Sequence, residues 1–405
     1  MPRPFGGAGI ELSTRADAER IPADPEAPFR IAIFGDFSGR ANRGISEPGS
    51  PAERRPIETG RDNFDSVMAQ IGPALSLPFG GETELRFSIA FKELGDFHPD
   101  RIYERFEIFQ KLKDPPLADA ISAEMRGLLH QPDFQALEAA WRGAFFLARK
   151  LDPAVGIRLY LVDATKADLA ESADLSKVLL ETGESWALVG GDYTFGPTRE
   201  DAELLRHMAG IACRAGAPFL AAASPHLVGW GSLAESSTPE RWRCEWDAEA
   251  EQAWDSLRRM PEASYLGLAL PRFLLRPPYG PGINTVDQFD FEEMPAGSPP
   301  HELYLWANPM FACVFLLATA FGEYRWQLRP GICQEIEDMP AHFYAESGDI
   351  RMKPCAEAML TADAAEKILD GGVMPLLSVK GRDAVRLARF QSLRKPAAPL
   401  SGRWA

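Results

Sequence analysis

The residues best placed for chemistry lie near the start of the chain. A short β-favouring run, Arg30–Phe34, leads into Gly35-Asp36, and Gly39-Arg40-Ala41-Asn42-Arg43-Gly44-Ile45-Ser46 follows. This spacing nearly matches the loop G-x-x-x-x-G-K-[ST], whose amides cradle phosphates and whose lysine reaches the terminal ones. Ile45 stands where that lysine belongs, and Pro48 and Pro51 interrupt the helix that should come next. Without the ammonium, no nucleotide site is assigned. Gly190-Gly191-Asp192 lacks the G-x-G-x-x-G pattern and reads as a tight turn built on permissive backbone.

Other candidate groups have bland readings too. The histidines are His98, His130, His207, His226, His301 and His342, none paired at i, i+4 and none in H-E-x-x-H, so no zinc site is assigned. Carboxylates cluster at Glu292-Glu293 and at Glu335, Glu337 and Asp338, and read as solvated acidic loops. The five cysteines, Cys213, Cys244, Cys313, Cys333 and Cys355, have no C-x-x-C spacing; they read as small buried side chains in a reducing compartment. No catalytic, cofactor-binding or metal-binding residue is therefore named, and no cofactor is expected. Nine tryptophans matter more: most should be core, and Trp230, in Gly229-Trp230-Gly231, suits an interface anchor.

The elements that must carry these residues follow from periodicity in a chain of 405 residues, 45% hydrophobic and 25% charged, enough for two or three domains. A net charge of −15 argues against a nucleic-acid binder. The opening residues contain no apolar run of signal-peptide type, and the longest apolar stretch, Met310–Phe321, is shorter than the roughly 20 residues a bilayer requires. A soluble cytoplasmic protein with no membrane insertion is expected.

Residues 1–27 read as a flexible arm. Strand Arg30–Phe34 precedes a loop over Ser38–Gly60. A helix N-capped by Asp62 carries Phe64, Val67, Met68 and Ile71. Leu85, Phe87, Ile89 and Phe91 alternate as a strand. Ile102, Phe106, Phe109 and Leu112 share a helical face that Asp114-Pro115-Pro116 ends. Beyond a linker at 115–127, Phe134, Leu137, Trp141 and Phe145 form a helical stripe behind Pro132. Ile157–Leu161, Trp186–Val189, Pro218–Ala223 and Ser264–Leu270 read as strands, and Ala202–Arg214 and Leu303–Phe321 as helices. The fold class is α/β (mixed α+β), with two or more sheet-and-helix domains.

These blocks resemble a known family. PFRIAIFGDFSG (28–39), RDNFDSVM (61–68) and LRFSIAFKELGDFHPDRI (85–102) resemble the small contractile-sheath protein of bacterial type VI secretion systems. HQPDFQALEAAWRG (130–143), GGDYTFG (190–196), APFLAAASP (217–225), YLGLALPRFLLRPPYG (265–280) and FDFEEM (289–294) resemble the large one. The resemblance runs from about 28 to 393 and implies a small-subunit-like domain at 28–114, a large-subunit-like region at 128–393 and a tail at 394–405. Within it, Trp141 reads as a core anchor, Arg142 as pairing nearby, Pro271 as ending a strand, and Arg272 as a bidentate partner for Glu293.

In that family, small and large subunits pair and stack as a helical sheath that contracts around a tube. The resemblance thus implies a structural sheath component, a fused and shortened protomer, whose partners are other sheath subunits, inner tube and baseplate proteins. A non-polymerising adaptor, cap or assembly factor is the alternative reading, and a nucleotide-binding enzyme the third. Only Asp114–Leu128 joins the halves, which leaves little for the interlocking strand and Clp-type unfoldase site of large subunits. The chain also stops before their C-terminal module, and Arg325-Trp326 through Pro330-Gly331-Ile332-Cys333 departs from their glycine-rich turn.

Overall fold

A computed structural model describes residues 24–45, 55–79, 82–106, 118–171, 175–180, 185–233, 238–243, 245–294 and 299–404. The first expected strand becomes β1 (Phe29–Gly35), followed by a short helix α1 (Arg40–Arg43), β2 (Ile57–Glu58) and α2 (Phe64–Ile71). Asn63, not Asp62, stands at the start of α2. Its side chain is turned back into the preceding turn, where it accepts from Gly60 N and donates to Glu58 O. A hairpin β3 (Ala74–Phe79)–β4 (Glu82–Ala90) and helix α3 (Pro99–Arg105) complete the first part. Phe109, Leu112 and the expected Asp114-Pro115-Pro116 stop lie outside the described residues, as does most of the arm. Within the 115–127 linker, residues 118–127 are helical instead, in α4 (Ala118–Leu129).

Pro132 starts α5 (Pro132–Lys150), and β5 (Ile157–Asp163), α6 (Lys166–Glu171) and α7 (Leu175–Leu180) follow. Then come β6 (Leu188–Phe195), α8 (Arg199–Ala215), β7 (Phe219–Ala223), α9 (Ala248–Arg259), β8 (Leu266–Leu270) and β9 (Phe273–Leu274). The last elements are β10 (Trp306–Ala307), α10 (Met310–Tyr324), β11 (Glu335–Ile336), β12 (His342–Glu346), β13 (Asp349–Lys353), α11 (Ala362–Asp370), β14 (Val373–Ser378) and β15 (Val385–Leu387). Helix α10 starts later than its apolar run suggests, because Trp306-Ala307 is drawn into pairing with β9 and Pro309 opens the helix.

One nine-stranded sheet, ordered β11-β15-β14-β8-β7-β6-β1-β5-β2, organises the chain. Its six central strands are parallel; β2, β15 and β11 add antiparallel edges. The first strand of the small-subunit-like segment is thus a central strand among those of the large-subunit-like one. All seven residues of β1 register with β5, from Phe29 opposite Ile157 to Gly35 opposite Asp163, and Ile31–Phe34 register with Leu188–Gly191 of β6.

Period-two alternation feeds a core on each face. Phe29, Ile31 and Ile33 join the core beneath the β3–β4 hairpin, α5 and α10; Ala32 and Phe34 join the core beneath α6–α9 and α11. Gly190-Gly191-Asp192 is not a turn: it lies within β6. A Cβ on Gly190 would sit 2.5 Å from Met310 Sδ and 2.7 Å from Ile33 Cδ1, and one on Gly191 2.6 Å from the Phe219 ring. The glycines let neighbouring side chains cross the strand. Trp230 is no surface anchor either; it is buried and stacks on Trp242 with centroids 4.7 Å apart. The final described residues pack against the body: Leu400 and Trp404 are buried, and Arg403 donates to Ala215 O. Cys313 and Cys355 are buried, whereas Cys213 and Cys333 are half-buried.

Close approach of α5 and α10 depends on Gly143, where a Cβ would sit 2.3 Å from the Phe311 ring. Gly143→Val should therefore lower stability by about 1–3 kcal/mol through overpacking, despite better helix propensity. A urea midpoint unchanged from the parent would contradict this packing.

Candidate functional site

The most concentrated set of buried charges joins α5 to the segment after β9. Helix α5 presents Glu138 and Arg142 one turn apart, and Arg142 Nε donates to Glu138 Oε1 at 2.6 Å. Arg276 reaches the same carboxylate with Nε at 2.9 Å and Nη2 at 3.3 Å. Its remaining donors bind Glu293, Nη1 to Oε2 at 2.7 Å and Nη2 to Oε1 at 3.1 Å. Tyr279 N donates to Glu293 at 2.7 Å, and Tyr279 OH accepts from Arg142 at 3.1 Å. The Tyr279 ring packs over the Arg276 guanidinium, 4.1 Å away, with His98 against its edge. Two arginines and two glutamates therefore balance inside the protein, where an unpaired member would be very costly. Burial by itself would raise the Glu293 carboxyl, but Arg276, His130 and the Tyr279 amide hold it down at about 2.

This junction is continued toward the first part of the chain. The Asp100 carboxylate of α3 accepts from the amides of Asp287 and Gln288 at 3.1 and 3.0 Å. From α4, Ser122 Oγ donates to Asp290 O at 2.8 Å and Arg126 to Glu292 O at 3.1 Å. Residues 287–293 are thus held by two helices, α3 and α4, and by Arg276.

Glu293 is consequently not a solvated loop residue, and its partner is Arg276 rather than Arg272. Arg272 instead grips Glu357: Nε donates to Oε2 at 2.8 Å, Nη2 contacts Oε1, and His301 Nε2 lies 2.9 Å from Oε1. Burial opposes ionisation of Glu357, yet Arg272 and His301 outweigh it and leave the carboxyl at about 2. Sequence spacing alone could not separate two arginines four residues apart; the extended β9 between them sends their side chains to different glutamates. Glu335 and Glu337 fit the solvated reading better, both pairing with Arg382 at the surface.

The carboxyl ends of β1, β5 and β6 meet where strand order changes direction, the usual ligand crevice of an open α/β sheet. A cleft of about 320 Å³ there is lined in part by Asp36, Asp133, Asp192, Thr194, Arg272 and Asn308. Its chemistry is largely committed. The amides of Arg40 and Ala41, which a phosphate would use, donate to the Asp36 carboxylate at 2.8 and 2.9 Å. Arg40 is buried and pairs with Asp163 at 3.1 Å and Asp168 at 2.9 Å. Asp133 accepts from Asn42 at 2.7 Å. Burial pushes the Asp192 carboxyl up to about 7, with Asn308 pulling the other way. Gly39, at φ 70°, packs onto Ala74 O, where a Cβ would sit at 2.5 Å, so it serves the turn. Ser46 lies outside the described residues. No group of three or more potential metal ligands occurs among the described residues.

Two protein-family models match consecutive parts of the chain. "Type VI secretion system, VipA, VC_A0107 or Hcp2" covers residues 10–116, and "EvpB/VC_A0108, tail sheath N-terminal domain" covers 116–394. The chain belongs to the type VI secretion sheath family. A curated relative, the type VI secretion system sheath protein TssC1 of Pseudomonas aeruginosa, is 32% identical over 298 residues. That alignment takes in 68% of this chain and 60% of the relative's length. The blocks quoted above all lie within the two matched ranges, and Trp141, in the second, is buried and donates to Phe37 O, in the first, at 2.8 Å.

Arg276→Met should lower stability near neutral pH by about 3–5 kcal/mol, because Glu138 and Glu293 would remain buried without their cation. Glu293 is depressed from 4.5 to about 2, so its favourable term is complete above the ordinary value and disappears as pH falls toward 2. The gap between parent and variant in chemical denaturation should accordingly narrow on acidification; a gap that stays constant or widens would contradict the pairing.

Proposed function

We propose that the chain is a structural component of a bacterial type VI secretion contractile sheath, acting by protein–protein assembly in the cytoplasm rather than by catalysis. On this reading it carries a small-subunit-like unit (28–114) and a large-subunit-like unit (128–393) on one polypeptide, and its partners are other sheath subunits, with inner tube and baseplate proteins. The observation that supports it best is the consecutive pair of sheath-family matches, meeting at residue 116, together with the insertion of β1 from the first between β5 and β6 of the second.

The committed chemistry of the crevice favours the same conclusion. Asp36, Arg40, Asp133 and Arg272 are engaged with protein groups that hold the fold. Among the described residues, no helix is long and apolar enough to cross a membrane. A rigid, double-cored body of this kind suits a lattice whose energy lies in contacts between bodies, where repacking of interfaces does mechanical work. Lattices of this type need heterologous contacts that do not close.

Negative-stain imaging of the purified protein, mixed with the sheath and inner-tube proteins of its own bacterium, tests the proposal. The protein should enter tubular assemblies in a regular repeat. Tubes that form without it, with the protein left free in the supernatant and bound to no apparatus component, would contradict the reading.

A further inference from the structure

Strands β12 and β13 form a two-stranded sheet apart from the main one, joined through Ser347 and Gly348, both at positive φ (54° and 90°). Its register sets Phe343 opposite Met352 and Ala345 opposite Ile350, so these four apolar residues share a face. The polarity of the hairpin is reversed relative to an ordinary surface ribbon. Phe343 is 56% exposed and Ile350 82%. The polar face instead turns inward onto aromatic rings: His342 Nδ1 lies 2.7 Å from Tyr304 OH, and Lys353 Nζ 4.8 Å from the Tyr304 ring centroid. Met352 is the one member of the apolar face packed against the main core.

Both outer edges of the hairpin are unpaired among the described residues, and that of β13 is the more exposed: Asp349, Ile350 and Arg351 are all exposed, whereas β12 alternates between exposed and half-buried. An exposed edge is normally protected by like charges, proline or a bulge. Here the charges flanking Ile350 have opposite signs, and within the hairpin Arg351 Nε also lies 2.6 Å from Glu346 Oε2. An antiparallel pairing of two such edges centred on Ile350 places Ile350 against its own copy and Asp349 against Arg351 twice. Cross-strand pairs of opposite charge stabilise such a ladder, and like charges would oppose it.

We propose that β13 is a self-complementary docking edge, and that two copies of this chain pair through it into a four-stranded antiparallel sheet ordered β12-β13-β13-β12. The contact is isologous and closes on itself, unlike the heterologous contacts of a sheath lattice. It does not rest on the sheath reading. Two copies covering each other's edges in this way would withdraw the exposed strand from unspecific strand addition.

Sedimentation velocity on the full chain alone, without sheath partners, reads the contact. The parent should show a monomer–dimer equilibrium. Asp349→Arg and Arg351→Asp should each raise the dimer dissociation constant by about tenfold or more, and the double variant should restore it, because the swap regenerates both cross-pairs. Ile350→Cys should form an inter-chain disulfide under mild oxidation that the parent does not form, since directly opposed residues in an antiparallel pair bring Cα atoms to about 4.5–5.5 Å. Circular dichroism melts check that each variant is folded. A parent that stays monomeric to the highest soluble concentration, single variants that dimerise like the parent, or a double variant no better than the singles would each overturn the proposal.

Discussion

The ladder that β1 makes with its two neighbours is the constraint on which the rest of the structure depends. Seven parallel positions against β5 and four against β6 place a strand from the beginning of the chain at the centre of a sheet whose other central strands begin at residue 157. Everything on either face inherits its position from this strand. Ile31 and Ile33 fix the level at which α5 and α10 pack, while Ala32 and Phe34 do the same for the opposite layer. Its carboxyl end delivers Asp36 and Arg40 to the crevice, where Arg40 fastens Asp163 and Asp168. Without β1, the polar edges of β5 and β6 would face an empty slot, which a buried sheet cannot tolerate.

The ionic junction acts at a second level. Hydrophobic burial is indifferent to small sliding between layers, but Arg276 holds two glutamates from different elements in fixed directions. A balanced buried quartet of this sort contributes little net stability over an apolar replacement, while its disruption is costly. It specifies one arrangement of α5, the segment after β9 and residues 287–293. For a body proposed to transmit force between neighbours, a single rigid arrangement is the useful property. The sheath-family matches meet at residue 116, whereas the clamp from Asp100 to Asp287 and Gln288 runs across that boundary.

Much of the fold was legible from periodicity because burial and side-chain spacing are local. Strand β1, helix α5 behind Pro132, and strands β5, β7 and β8 lie within a residue or two of where their apolar patterns place them. The resemblance carried the family reading from short blocks such as 28–39 and 130–143. What local pattern could not supply was partnership at a distance. Gly190-Gly191 looked like a turn because only the crossing of Met310 and Phe219 reveals why a strand there needs glycine. Glu293 looked solvated because Arg276 and the layer above it are invisible in the local sequence. Trp230 lost its surface role to Trp242, twelve residues away, and no local pattern announced the seat of Trp404 in the core. Nor could the pattern around Ile45 show what the loop amides do: those of Arg40 and Ala41 donate to the Asp36 carboxylate at the start of the same loop.

The claim at the centre of this account is that the two sheath-like segments form one body through β1. Co-expression of residues 1–116 and 117–405 as separate polypeptides tests it most directly. The account predicts a tight equimolar complex on purification, with the second fragment insoluble or misfolded when made alone, because its sheet lacks a central strand. A second fragment that purifies alone as a stable, cooperatively folded protein, and that does not bind the first, would contradict it.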